Sequence, residues 1–115
     1  MLRWYNSLGH AIRGFFLIVK EEPNFRIELC VAMLVIALSY WLQITGPERL
    51  VIILCIGGVL SAEAFNSSLE RLADHITPEL HPDIAKVKDV AAAAVLIMAM
   101  ISVVIGVLIF GPRIM

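Results

Sequence analysis

Between Glu63 and Asp74 the sequence reads EAFNSSLERLAD, and this stretch follows LVIILCIGGVLSA, Leu50 to Ala62, a run without a charge and with a single hydroxyl. On an α-helix turning ~100° per residue, Glu63, Asn66, Glu70 and Asp74 share a face narrower than a quarter-turn. An ionised carboxylate at the centre of a bilayer costs at least ~2.5 kcal/mol on insertion scales, so such a group faces a bundle interior and has a partner or a task. Two tasks suit the residue types. A carboxylate accepts a proton from a hydroxyl, and as a hard oxygen donor it holds Mg2+, which takes one or two carboxylates together with substrate phosphates. Glu63 and Glu70 are separated by ~10 Å along a helix axis, too far for a dyad sharing one small site. A deeper group taking the proton of a lipid hydroxyl, with a shallower one holding a metal-nucleotide, suits that offset. The structural alternative is that Glu63 is a hydrogen-bonded packing group and Asp74 a solvated or Arg-paired carboxylate.

Further charged residues gather at the same depth. KEEPNFRIE at 20 to 28 precedes one apolar run and KVKD at 86 to 89 precedes another. Glu22 and Glu70 are oxygen ligands suited to Mg2+. Lys88 suits a phosphate as a point charge, although a membrane-boundary anchor on the positive-inside face is the more ordinary role for a lysine. His75 and His81 read as solvated, with a nucleotide contact as the alternative. The absences narrow the chemistry: no G-x-x-x-x-G-K-[ST] or G-x-G-x-x-G phosphate cradle, no Cys/His spacing for zinc, and no Ser-His-Asp arrangement.

The elements that position these groups follow from composition. The 115-residue chain is 60% hydrophobic, with a mean hydropathy of +0.89, more apolar surface than a soluble domain of this size can bury. Three runs, about 27–44, 50–69 and 90–110, each approach the ~20 residues needed to cross the hydrocarbon core. Unpaired backbone groups are costly in lipid, so each predicted crossing is an α-helix. Residues 2–19 place Leu2, Tyr5, Leu8, Ile12, Phe15, Phe16 and Val19 at helical spacing, predicting an amphipathic helix in the interface plane or packed on the bundle. TGPER at 45–49 reads as a tight turn, and about 71–89 as a longer polar loop. Arg3, Arg13, Lys20, Arg26, Arg71, Lys86 and Lys88 fall on one side of this topology, with Arg49 and Arg113 on the other. The N-terminus and the 71–89 loop are therefore expected to be cytoplasmic. The small residues Gly57, Gly58 and Ala91 to Ala94 suit close helix approach. Cys30 and Cys55 lie in apolar runs as small hydrophobes. No cleavable signal is evident, so the chain is expected to keep its start. Nine basic against ten acidic residues, with no basic aromatic-interleaved run, gives no sign of nucleic-acid binding.

EAFNSSLERLAD, TPELHP and KVKDVAAAAV together resemble the prokaryotic diacylglycerol kinase family, which includes undecaprenol kinases, and the resemblance extends over nearly the whole chain. It implies an all-α integral-membrane lipid kinase of the bacterial inner membrane: one domain over 1–115, an interfacial helix plus three transmembrane helices, its bundle completed by homotrimer formation with shared active sites facing the cytoplasm. Such an enzyme moves the γ-phosphoryl group of MgATP to the hydroxyl of a membrane lipid, undecaprenol or diacylglycerol. Carried over by position, Glu63 is the catalytic base and Asn66 its neighbour. Glu70 and Glu22 are the metal and nucleotide carboxylates. Lys88 and Asp89 contact the nucleotide, with Glu79, Leu80 and His81 near it and Arg3 near the lipid. Glu28 and Asp74 fall at polar family positions. Three positions depart from the family pattern: Ser68 replaces a usual Ala, Pro23 adjoins Glu22, and His10 occupies a position of the nucleotide site where an aromatic is usual. TPELHP and KDVAAAAV lean toward the undecaprenol branch. A non-catalytic membrane scaffold or transporter, in which the carboxylates only hold helices together, is the competing class.

Overall fold

A computed structural model describes residues 2–76 and 81–114. It contains four helices, α1 Leu2–Glu21, α2 Pro23–Trp41, α3 Gly46–Ile76 and α4 Pro82–Ile114, and no strand occurs among the described residues. The last three helices are long and apolar enough to cross a membrane. Their apolar side chains point outward: Leu34, Leu54, Val90 and Leu108 are 70%, 74%, 70% and 69% exposed. Only a lipid environment or another protein surface leaves so much aliphatic area stable.

Each corner has a local cause. Pro23 disfavours helical geometry at the residue before it, and Glu22 is extended, with φ −110° and ψ 105°. This ends α1, and Arg26 donates to the carbonyls of Val19 and Lys20 at 2.9 and 2.7 Å, satisfying oxygens that the last turn leaves free. At the end of α2, Gln43 adopts φ 54°, while its N–H bonds to the Tyr40 carbonyl and that of Ile44 to the Ser39 carbonyl. These two bonds make a Schellman motif with glutamine in the left-handed position usually given to glycine. Thr45 and Glu48 then form a reciprocal capping box, in which the Glu48 carboxylate accepts from the Thr45 N–H at 3.2 Å and the Glu48 N–H reaches Thr45 Oγ1 at 3.3 Å. The tight turn expected at 45–49 is thus displaced: residues 42–45 make the turn, and Gly46–Arg49 are the first turn of α3.

The polar stretch 71–89, expected as a loop, is largely helical. The chain of α3 continues to Ile76 and α4 begins at Pro82, because good helix formers extend both elements past their apolar runs and proline fits the first helical position. His81 caps α4 by accepting the Asp83 N–H on Nδ1 at 3.1 Å. Helix α1 likewise runs two residues past the expected end, to Glu21.

Ion pairs at both ends set the antiparallel register of α3 and α4: Glu48 with Arg113 and Asp74 with Lys88, each at 2.6 Å. Close approach between them occurs at Gly58, where an added Cβ would collide with the Met98 methyl, whereas Gly57 faces open space. In the alanine run, Ala91 is buried and Ala92 to Ala94 are exposed. A small core of Ile44, Ile52, Ile109 and Phe110 closes the end near Glu48. Arg49 lies 4.1 Å from the Tyr40 ring centroid and donates to the Ile44 carbonyl, joining α2 to α3 at that end. Helix α1 touches the rest through Phe15 on Phe25, ring centroids 6.1 Å apart, and leaves Trp4, Tyr5, Ile12 and Phe16 exposed, as suits a helix in the interface plane.

Candidate active site

The opposite end of the molecule, where the α1–α2 corner meets the close of α3 and the start of α4, gathers the acidic residues. The inward face of α3 carries Glu63, Asn66 and Ser67, which are 7%, 9% and 5% exposed. One and two turns on, Glu70 and Asp74 emerge to the surface, so the single polar face grades from buried to wet along one helix. Asn66 connects the two zones by donating from Nδ2 to Glu70 Oε1 at 3.3 Å. Its Oδ1 is buried and has no hydrogen-bond partner among the described residues.

Glu28 of α2 lies close to Glu63 of α3, and Glu28 Oε2 is buried without a partner among the described residues. Buried polar oxygens left unpaired are costly, and two of them on facing helices mark a place prepared for something other than packing. From Glu28 an apolar cavity of about 350 Å³ runs between α2, α3 and α4, past Val59, Ile56 and Ile105 toward Phe110. Apart from Glu28, its polar lining groups are the Ser102 hydroxyl, also unpartnered among the described residues, and the Cys55 thiol. A carboxyl group therefore stands at the head of an aliphatic slot, an arrangement that suits a lipid whose polar head ends in a hydroxyl.

At the wetter edge, Glu22 accepts from Arg71 at 2.9 Å and Glu21 pairs with the same guanidinium nitrogen at 3.0 Å. Lys88 is held by Asp74 at 2.6 Å. No group of three His, Cys, Asp or Glu side chains gathers as a metal cage among the described residues. Glu22 and Glu70 both lie within electrostatic reach of Glu63, and one or two carboxylates of this kind match Mg2+, which draws its remaining ligands from water and substrate phosphates.

The remaining expected site residues are dispersed. Asp89 is exposed on α4, and His81 serves as that helix's cap. His10 accepts a hydrogen bond from Arg13 at 2.7 Å on exposed α1, Arg3 is exposed in its first turn, and no hydrogen bond or ion pair among the described residues joins either to Glu63. Glu79 and Leu80 lie outside the described residues. Ser68 donates to the Ala64 carbonyl at 3.0 Å, a helix-internal bond that leaves the inward face unchanged. Pro23 leaves Glu22 free to turn toward α3. The contact of Glu28 with Glu63 and the engagement of Glu22 by Arg71 depend on helix register and have no signature in sequence spacing.

A family model for prokaryotic diacylglycerol kinase matches residues 9–110. The undecaprenol kinase of Bacillus subtilis (strain 168) is 37% identical over 111 residues, covering 96% of this chain and 90% of that protein. A diacylglycerol kinase of Haemophilus influenzae is 30% identical over 106 residues, covering 91% and 90%. That of Escherichia coli (strain K12) is 28% identical over 102 residues, covering 89% and 84%.

Proposed function

The chain belongs to the prokaryotic diacylglycerol kinase family of integral-membrane lipid kinases, and from that premise we propose that it transfers the γ-phosphoryl group of ATP to the hydroxyl of a membrane lipid alcohol, undecaprenol or diacylglycerol. One observation carries the assignment of the chemistry: buried Glu63 stands between an aliphatic cavity headed by Glu28 and the exposed carboxylate of Glu70.

In this reading Glu63 accepts the hydroxyl proton as the lipid oxygen bonds to the γ-phosphorus, and the bond from that phosphorus to the β,γ-bridging oxygen breaks to release ADP. Phosphoryl transfer asks chiefly for positioning and charge neutralisation. Asn66 orients Glu70 through its 3.3 Å bond. Glu22 and Glu70 would hold Mg2+, which when bound would supply positive charge to the phosphates. Lys88 and Asp89 engage the nucleotide, with His10, Glu79, Leu80 and His81 beside it, and Arg3 attends the lipid. The site faces the cytoplasm of a bacterial inner membrane, the side on which basic residues concentrate. A homotrimer covers the exposed helix faces and completes a site that three helices only partly shelter.

Undecaprenol is the favoured acceptor. The 37% identity to an undecaprenol kinase supports it, and so does the almost wholly aliphatic lining of the slot beside Glu28, which suits a polyprenyl chain. No observation favours the scaffold alternative.

The test is purified protein in micelles with MgATP and a panel of polyprenols, diacylglycerols and other lipid alcohols, with mass-spectrometric product identification. A phosphorylated polyprenol formed faster than phosphatidic acid is expected. Absence of any phosphorylated lipid would overturn the assignment, and preferential phosphatidic acid would overturn the choice of acceptor.

A further inference from the structure

Two charged groups that the proposed nucleotide site draws from outside α3, one acidic and one basic, are already engaged. Glu22, at the α1–α2 corner, accepts from Arg71 at 2.9 Å, and Lys88, on α4, donates to Asp74 at 2.6 Å. Both counter-ions belong to the final turns of α3 and are three residues apart, the spacing at which an acidic and a basic side chain meet on one helix. Neither pair is deep: the Arg71 and Glu22 side chains are 41% and 27% exposed, those of Lys88 and Asp74 38% and 64%. Ion pairs this wet are weak and readily exchanged. Arg71 also holds Glu21 at 3.0 Å, so the guanidinium keeps a partner when Glu22 leaves it.

We propose that Arg71 and Asp74 are placeholder counter-ions: in the nucleotide-free enzyme Arg71 occupies Glu22 and Asp74 occupies Lys88, and MgATP binding exchanges both partners. Glu22 passes from Arg71 to the metal, Lys88 passes from Asp74 to the phosphates, and the released Asp74 pairs with Arg71, which also keeps Glu21. Every charge has a partner before and after. Of the three ion pairs that tie this end of α3 to neighbouring helices, only Arg71 with Glu21 stays, so nucleotide binding loosens the α1–α2 corner and releases the start of α4 from α3. The inference rests on the proposed kinase function and adds to it two positioning residues and a coupling between nucleotide binding and helix attachment.

The test measures Mn2+ binding to the full-length protein in micelles, with a non-hydrolysable ATP analogue present, from the electron paramagnetic resonance signal of the free ion. Arg71→Ala removes the competitor for Glu22 and is expected to bind Mn2+ roughly two- to fivefold more tightly than wild type, the factor that an exposed ion pair corresponds to. Asp74→Asn is expected to tighten binding of the nucleotide analogue by a similar factor. Lys20→Ala, which removes a nearby cation that does not hold Glu22, is expected to leave both affinities unchanged. Unchanged or weaker Mn2+ binding in Arg71→Ala would overturn the proposal, as would an equal gain in Lys20→Ala, which reveals a general field effect. Wild-type protein that neither binds the Mn2+ complex nor phosphorylates any lipid would overturn the kinase reading itself and this inference with it.

Discussion

Replacing Asn66 with leucine separates a residue kept for chemistry from one kept for packing. Asn66 is 9% exposed, donates one 3.3 Å bond to Glu70, and buries Oδ1 with no partner among the described residues. Losing a single hydrogen bond removes about 0.5–1.5 kcal/mol, whereas removing an unpaired buried acceptor returns about 1–3 kcal/mol. Leucine has a similar volume, so no cavity term enters. The expected stability change therefore runs from about 0.5 kcal/mol of loss to about 2.5 kcal/mol of gain. Activity should move far more, falling about 100-fold or further, because Glu70 loses the side chain that orients it and misplacement of about 1 Å carries that penalty. Both quantities are read on one preparation: unfolding in mixed SDS micelles by circular dichroism, and turnover with MgATP and lipid. Destabilisation beyond about 2 kcal/mol with full turnover per folded molecule would refute the reasoning and make Asn66 a packing residue.

At the other end, Glu48→Ala removes the acceptor of the Thr45 capping box and the partner of Arg113. It is expected to cost about 1–3 kcal/mol of stability, measured by the same unfolding titration, with turnover of the folded fraction unchanged. Val59→Phe inserts a ring into the cavity beside Glu28. It is expected to raise the KM for the lipid about tenfold and leave the KM for MgATP near wild type, a split that steady-state kinetics with each substrate varied will show.

The apolar runs and the α1 periodicity were legible because the bilayer imposes a length and the helix a period, and both are written locally in residues such as Leu50 to Ala62. Boundaries were less legible. Hydropathy is silent about Arg71 to Ile76 and Pro82 to Asp89, where the helices leave the apolar layer without unwinding. At Gly46 and Pro47 two residues that punctuate turns instead open a helix, because Thr45 and Glu48 cap it. Within the site, the shared face of Glu63, Asn66 and Glu70 follows from a rotation of ~100° per residue along one helix. The meeting of Glu28 with Glu63, and of Arg71 with Glu22, joins residues on different helices whose sliding register is fixed by distant contacts such as Arg49 with Tyr40. Polar family positions pointed to Glu28, but nothing in the spacing pointed to Arg71.

The central claim is that Glu63 accepts the proton of the lipid hydroxyl, and its most direct test is single-turnover phosphoryl transfer by Glu63→Gln with MgATP and undecaprenol. Glutamine keeps the shape and hydrogen-bonding capacity of the side chain and removes its capacity as a base. The account predicts a loss of about 100- to 10,000-fold in the transfer rate, the contribution typical of a general base, with nucleotide affinity and oligomeric state unchanged. A Glu63→Gln enzyme that transfers phosphate at the wild-type rate, or one that loses its oligomer while the folded remainder stays fully active, would contradict it.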